Sequence, residues 1–258
     1  MRRLELLEKE GAQLNRNSDG VEVDLSDAFG PQSLNLVLNE RILFVRSCTS
    51  TQATAKTSEG EFTIVIADEQ TDGRGRLGRQ WLSEPGRNIL MSMVMKPDGP
   101  VEDWARGPLL WAAVIAECLG LYVKWPNDIV TSGGQKIGGI LSSLEHDQNG
   151  KAYLIFGLGL NVNQTIFPKL PHASSLSMVY ESAPSRLAII RTLVDAIREV
   201  HLTDSLDLWR SRCPMLGSVV RVAGTEGVAE AIREDGALIV GGQTILSGDV
   251  EIVEGLKQ

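Results

Sequence analysis

The most regular pattern in the chain runs over residues 185–202, where Leu187, Ile190, Val194 and Ile197 recur at spacings of three and four behind Pro184. That period draws one apolar stripe along a helix, with proline at its start, where a missing N–H does no harm. A second helix is predicted over 105–119, with Leu109, Ala112, Ala113, Ala116 and Leu119 on one face and Gly120 as the stop. Elsewhere the pattern shortens to that of strands. FTIVIAD (62–68) is a β-branched run, NILMSMVMK (88–96) alternates, and LYVKW (121–125), KIGGILSSLE (136–145) and KAYLIFGLGLNV (151–162) follow. Strands, helix, strands, helix in that order predict an α+β domain: a mixed, mainly antiparallel sheet with helices packed on one face. The first forty residues hold no sustained period. Leu4 to Leu7 begin a short helix, and NRNSDG (15–20) is turn chemistry. Beyond Cys213-Pro214, the runs GSVVRVAG, EGVAEAIREDGALIV and ILSGDVEIVEG predict five short strands. Such a unit is too small for a core of its own and must lean on the larger domain. The predicted organisation is an N-terminal extension (1–33), a main domain (34–213) and a small β domain (214–258).

Composition narrows the function classes. The 258 residues carry 25 Lys+Arg against 33 Asp+Glu, a net charge of −8, which argues against bulk binding to nucleic acid or anionic membrane. Within residues 1–30 the bases Arg2, Arg3, Lys9 and Arg16 are outnumbered by acids, and there is no room for the helices of a DNA-binding helix-turn-helix. No apolar run is long enough to span a bilayer, and MRRLELLEKEGAQ breaks into Glu and Lys before any secretory apolar segment forms. Cys48, Cys118 and Cys213 are odd in number and lack metal or redox spacing, so a reducing cytoplasm is expected, with each thiol a small buried hydrophobe. His146, His172 and His201 are too scattered to suggest a metal or triad cluster.

The chemistry concentrates in five short stretches. In EQTDGRGRLGRQW (69–81), Gly73, Gly75 and Gly78 alternate with Arg74, Arg76 and Arg79 and end at Trp81. Glycines let backbone N–H groups approach an anion, arginines add planar donor forks, and tryptophan offers a stacking face for a heterocycle. Taken alone, the same composition describes a solvated basic loop or an RNA-touching segment. VKWPNDIV (123–130) puts Asn127 and Asp128 in a turn at a strand end. QKIGGIL (135–141) opens a strand with Lys136, whose ammonium suits a phosphate, beside Gly138 and Gly139, which leave room for ligand. GLGLNVNQ (157–164) places glycines inside a strand ahead of Asn161 and Asn163. TSTQATA (49–55) supplies Ser50, Thr51 and Gln52, small groups equally suited to a neutral polar ligand and to a helix N-cap.

Together, Ser50-Thr51, Gln70, GRGRLGRQW, KWPND, KIGGIL and GLGLN resemble, in order and spacing, the biotin–protein ligase (biotin–[acetyl-CoA carboxylase] ligase) family. The resemblance runs from near residue 34 to the C-terminus, where GVAEAIREDGALIV and ILSGDV are similar to the family's SH3-like barrel. It points to the class without an N-terminal DNA-binding domain. What the resemblance implies is a class II synthetase-like catalytic domain that uses MgATP to activate biotin as biotinyl-5′-AMP. The biotinyl group then passes to a lysine of a biotin carboxyl carrier protein domain. Ser50, Thr51, Gln52 and Gln70 would meet the biotin ureido ring or line its slot, with Gly139 beside them. Arg74, Gly75, Arg76 and Lys136 would lie at the carboxylate and α-phosphate. Trp81 would face adenine, Asn127 and Asn161 would contact the nucleotide, and Arg79 would order the loop. Asp128 would contact Mg²⁺ or accept the incoming lysine's proton. The loop over 69–87 is expected to close over the adenylate, its arginines repelling one another until an anion arrives.

Two positions depart from the family pattern. Gln52 stands where Asn is usual, and Ser142-Ser143 precede Glu145 where an acid usually follows GGIL sooner. A lipoate or octanoate ligase or transferase is the nearest rival, against which GRGRLGRQW and the C-terminal barrel weigh. An RNA- or nucleotide-binding module is the rival of another class, and the acidic net charge weighs against that one. A homodimer through an exposed strand edge is left open.

Overall fold

The computed structural model describes residues 2–10, 12–17, 20–24, 29–38, 40–58, 63–168, 170–182 and 184–254. The chain opens with helix α1 (Arg2–Lys9) and a hairpin of β1 (Gln13–Asn17) and β2 (Gly20–Asp24), followed by α2 (Pro31–Leu38). The sequence reading anticipated the helix but not the strands, because QLNRN has no apolar alternation; of its expected turn over 15–20, residues 15–17 and 20 belong to the strands and residues 18 and 19 lie outside the described residues. Glu10 ties this segment down: its carboxylate accepts from Gln32 N at 2.9 Å and Ser33 N at 2.8 Å, satisfying donors that the first turn of α2 leaves unpaired.

Next come β3 (Ile42–Cys48), α3 (Thr51–Thr57), β4 (Ile64–Gln70), β5 (Ile89–Met95), α4 (Gly107–Cys118), β6 (Tyr122–Lys124), β7 (Asp128–Val130), β8 (Lys136–His146) and β9 (Ala152–Leu160). These strands form a seven-stranded sheet ordered β3-β4-β5-β9-β8-β7-β6. Only β3 and β4 run parallel, joined through α3; the other pairs are antiparallel. Three further helices follow: α5 (Leu176–Val179), α6 (Arg186–Arg198) and α7 (Asp207–Ser211). The helix predicted to reach 202 stops at Arg198, where the chain turns and Asp204 accepts from His201 N at 2.8 Å.

Alternation along β9 separates two faces. Leu154, Phe156, Leu158 and Leu160 join the main core under α4 and α6, whereas Ile155 packs with Val65 and Ala55 of α3. The single-face expectation for the helices therefore holds for α4 and α6, and α3 is the exception. α4 is apolar nearly all round because it lies inside this core. Its Trp111 is 1% exposed, sits edge-on to Phe156 at 5.1 Å, and fills the space a side chain at Gly107 would need. Trp111→Ala is expected to destabilise the chain by about 3–5 kcal/mol. A urea titration with an unchanged slope and a lowered midpoint would show it.

The C-terminal strands β10 (Val219–Val222), β11 (Thr225–Ile232), β12 (Leu238–Val240), β13 (Gln243–Ile245) and β14 (Glu251–Glu254) form a second, antiparallel sheet ordered β13-β12-β11-β10-β14. Its Val220, Val222, Ile232, Leu238 and Val240 belong to the same core cluster as Trp111 and Trp209, so the small unit does lean on the larger one. Trp125 Nε1 donates to Gly236 O at 3.0 Å, and Arg210 Nη2 donates to Ile232 O at 2.9 Å, fastening the two sheets together. No helix among the described residues is long and apolar enough to cross a membrane.

Candidate active site

A cavity of about 350 Å³ opens on the α3 face of the large sheet. Its floor is bare backbone: Gly139 of β8 pairs directly with Gly159 of β9, and Gly157 pairs with Leu141. The missing side chains are required by what lies above. A Cβ on Gly159 would come within 2.5 Å of the Trp81 ring, and one on Gly157 within 3.0 Å of the Gln52 amide. At one end Ser50 and Thr51 are buried at the start of α3. Gln70 Oε1 accepts from Thr51 N at 2.7 Å and from Thr51 Oγ1 at 3.1 Å, and Thr51 Oγ1 lies 2.8 Å from Ser92 Oγ. Ser50 occupies the N-cap position, yet its side chain makes no capping bond, which leaves the hydroxyl to the cavity.

The arginine loop arches over this floor as a tight hairpin. Gly75 N donates to Arg79 O at 2.7 Å and Trp81 N to Gly73 O at 2.8 Å, with Leu77 and Gly78 at positive φ at the tip. The sequence reading left the arginines to repel one another; instead each has a partner. Arg74 pairs with Asp72 at 3.0 Å, Arg76 Nη1 donates to Gly248 O at 3.4 Å, and Arg79 forms an ion pair with Asp249. The segment between β13 and β14 thus grips the loop. Asp249→Ala is expected to raise amide hydrogen exchange over residues 74–81 while the remainder of the chain keeps its protection. Equal exchange in the two proteins would count against the tether.

Lys136 opens β8 at the edge of the glycine floor. Its Nζ lies 2.6 Å from Asp128 Oδ1 and 5.7 Å from the Trp81 ring centroid. Asn127 Nδ2 donates to Ile140 O at 2.6 Å while Ile140 N donates to Asn127 O at 3.0 Å, so the turn carrying Asp128 is pinned to β8. Asn161 is 4% exposed; its Nδ2 donates to Ser174 O at 3.0 Å, and its Oδ1 has no hydrogen-bond partner among the described residues. A buried acceptor without a partner is costly, and it suits a ligand N–H.

The fourteen residues to which the family resemblance gives a role border this cavity: Ser50, Thr51, Gln52 and Gln70; Arg74, Gly75, Arg76, Arg79 and Trp81; Asn127, Asp128, Lys136, Gly139 and Asn161; Gly73, Gly78, Gly138 and Asn163, also marked in those stretches, do not. Sequence reasoning missed Asp249 and the apolar segment with Phe167, Leu170 and Pro171, and it set His172 aside although His172 lies on the rim. Nothing local marks these residues; tertiary folding brings them in. The GLGLN run did carry a signal for Gly157 and Gly159, through glycines within a strand. Among the described residues no group of three or more His, Cys, Asp or Glu could hold a metal ion. The cysteines differ from expectation in one respect. Cys213 is buried and its thiol is pushed up to about 12 by desolvation, but Cys118 is exposed and Cys48 only half-buried. None borders the cavity.

Comparison with known proteins bears on the family and the fold. Residues 45–161 match the model of the Biotin/lipoate A/B protein ligase family. The bifunctional ligase/repressor BirA of Bacillus subtilis is 30% identical over 245 residues, covering 84% of this chain and 75% of that protein. The biotin--[acetyl-CoA-carboxylase] ligase of Mycobacterium tuberculosis is 32% identical over 213 residues, covering 72% and 77%. Among solved structures, the biotin protein ligase of Aquifex aeolicus in complex with biotin and ATP superposes with a TM-score of 0.66 at 25% identity, covering 83% of this chain and 99% of that one. The chain belongs to the biotin protein ligase family. It is a ligase.

Proposed function

We propose that the chain activates biotin with ATP and transfers the biotinyl group to a lysine of a biotin carboxyl carrier domain. In the first step a carboxylate oxygen of biotin attacks the α-phosphorus, the bond to the bridging oxygen of the β-phosphate breaks, and pyrophosphate leaves. In the second the lysine amine attacks the acyl carbon, the acyl C–O bond breaks, and AMP and a proton leave as the amide forms. Both steps need charge stabilisation and alignment more than an enzyme nucleophile.

The observation that carries this reading is the setting of Lys136, held at 2.6 Å by Asp128 and facing the Trp81 ring over a floor of glycine. There its ammonium, with Arg74, Arg76 and the backbone of Gly75, holds the carboxylate and α-phosphate as charge develops. Asp128 keeps Lys136 aimed. Ser50, Thr51, Gln52, Gln70 and Gly139 form the biotin slot. Trp81 covers adenine, Asn161 Oδ1 accepts from an adenine N–H, Asn127 holds the Asp128 turn beside the nucleotide, and Arg79 orders the loop. The Mg²⁺ that accompanies ATP would be held by phosphate oxygens with at most Asp128 from this chain, where it would offset phosphate charge. In this scheme catalysis belongs to residues 34–213, while residues 214–258 contribute the grip of Asp249.

The test is to mix the chain with biotin and MgATP, follow ATP–pyrophosphate exchange, and look for retained biotinyl-AMP by mass spectrometry. Biotin-dependent exchange is the expected result. Exchange that depends on lipoate or octanoate and not on biotin would overturn the assignment.

A further inference from the structure

Behind the first turn of α3 lies a second cavity of about 320 Å³, against the outer end of β8. Ser50, Gln52 and Arg74 border both spaces. The charges around the second cavity are matched, with Lys56 pairing with Glu145 at 2.6 Å and Arg74 with Asp72 at 3.0 Å, and Ala53 also lines it. Ser143 of β8 stands on its wall. With each ion partnered, this space suits a small neutral group better than a further charge.

Gln52 is what stands between the two. From α3 its Nε2 crosses to the sheet and donates to Leu141 O at 2.7 Å and Ile155 O at 3.4 Å. The amide lies flat on Gly157, within 3.0 Å of where a Cβ would be. These contacts need the full length of the side chain. One methylene fewer shortens the reach by about 1.5 Å and leaves the strand carbonyls beyond its grasp.

We infer that Gln52 is a specificity-determining residue, a wall that sets the inner limit of the biotin slot and separates it from the second cavity. The inference rests on the functional reading above, with the ureido ring at the Ser50–Gln52 end. Wild-type chain then rejects biotin enlarged at a ureido nitrogen, because the added group meets the Gln52 amide. Opening the wall gives that group the space beyond.

The experiment measures ATP–pyrophosphate exchange with biotin and with biotin bearing a methoxycarbonyl group on a ureido nitrogen. Wild type should use biotin alone. Gln52→Ala should raise KM for biotin about tenfold, leave KM for ATP within about twofold, and begin to use the analogue. Ser143→Leu, added to Gln52→Ala, should abolish use of the analogue by filling the second cavity. A Gln52→Ala chain with wild-type KM for biotin, or analogue use that survives Ser143→Leu, overturns the inference. Should Gln52→Ala fail to fold, Gln52→Asn takes its place: a smaller rise in KM for biotin is expected, and an unchanged KM overturns it. A wild type without biotin-dependent exchange removes the functional reading itself, a result distinct from any of these.

Discussion

Lys136→Ala is expected to slow biotin-dependent ATP–pyrophosphate exchange about 10²–10³-fold, the loss typical when one preorganised donor to a developing anion is removed. The effect should fall on the rate constant more than on KM for biotin, because the slot itself is formed by α3 and the glycine floor. Stability should change little. The Lys136 side chain is 39% exposed and that of Asp128 22%, so the carboxylate left behind still reaches water. Exchange rates alongside thermal unfolding curves separate the two effects. A variant within about threefold of wild type would remove Lys136 from the reaction.

Gly159→Ala should act on the nucleotide instead. The added methyl would come within 2.5 Å of Trp81 Cε2 and 2.8 Å of Cζ2, closer than carbon atoms approach without one of them moving. Gly159 is the penultimate residue of β9 but is paired on both sides, with Leu90 of β5 and Gly139 of β8, so the backbone is held and the indole must lift. Its φ is not among the positive ones, so alanine fits the backbone there. Lifting Trp81 disturbs the neck of the arginine loop, where Trp81 N donates to Gly73 O. KM for ATP is expected to rise at least about tenfold, with a shift in tryptophan emission and an unchanged fold by circular dichroism. Normal ATP dependence would mean that the ring does not cover the nucleotide.

Much of the large sheet was legible because its strands carry their burial in their order of residues. β5 and β9 alternate between two faces, and Leu154, Phe156, Leu158 and Leu160 of β9 land in the core under α4 and α6 while Ile155 faces α3. α3 was harder to place. TQATAKT buries only Thr51 and Ala55, too little to draw an apolar stripe, so nothing in its sequence says which face it covers. The parallel pairing of β3 with β4 follows from that helix and was hidden with it. In the site, each motif alone also fits a loop or a strand edge. Their agreement came from family resemblance, and the sheet supplies the physical reason by bringing residues 50, 76, 136 and 161 to one cavity. Asp249 illustrates what no local pattern reveals. It meets Arg79 from 170 residues away, and a Gly-Asp pair in a β turn reads as a turn and nothing more.

The glycine floor also limits how this enzyme can change. A site paved with side chains can be retuned position by position, but Gly139, Gly157 and Gly159 present only peptide planes, and any side chain added to Gly157 or Gly159 runs into Gln52 or Trp81. The roof and the end walls, in α3, the arginine loop and the segment around Phe167, are where side chains can change without that collision. Descendants of this chain that came to handle a different acyl group would be recognisable by changes there, above a floor still made of glycine.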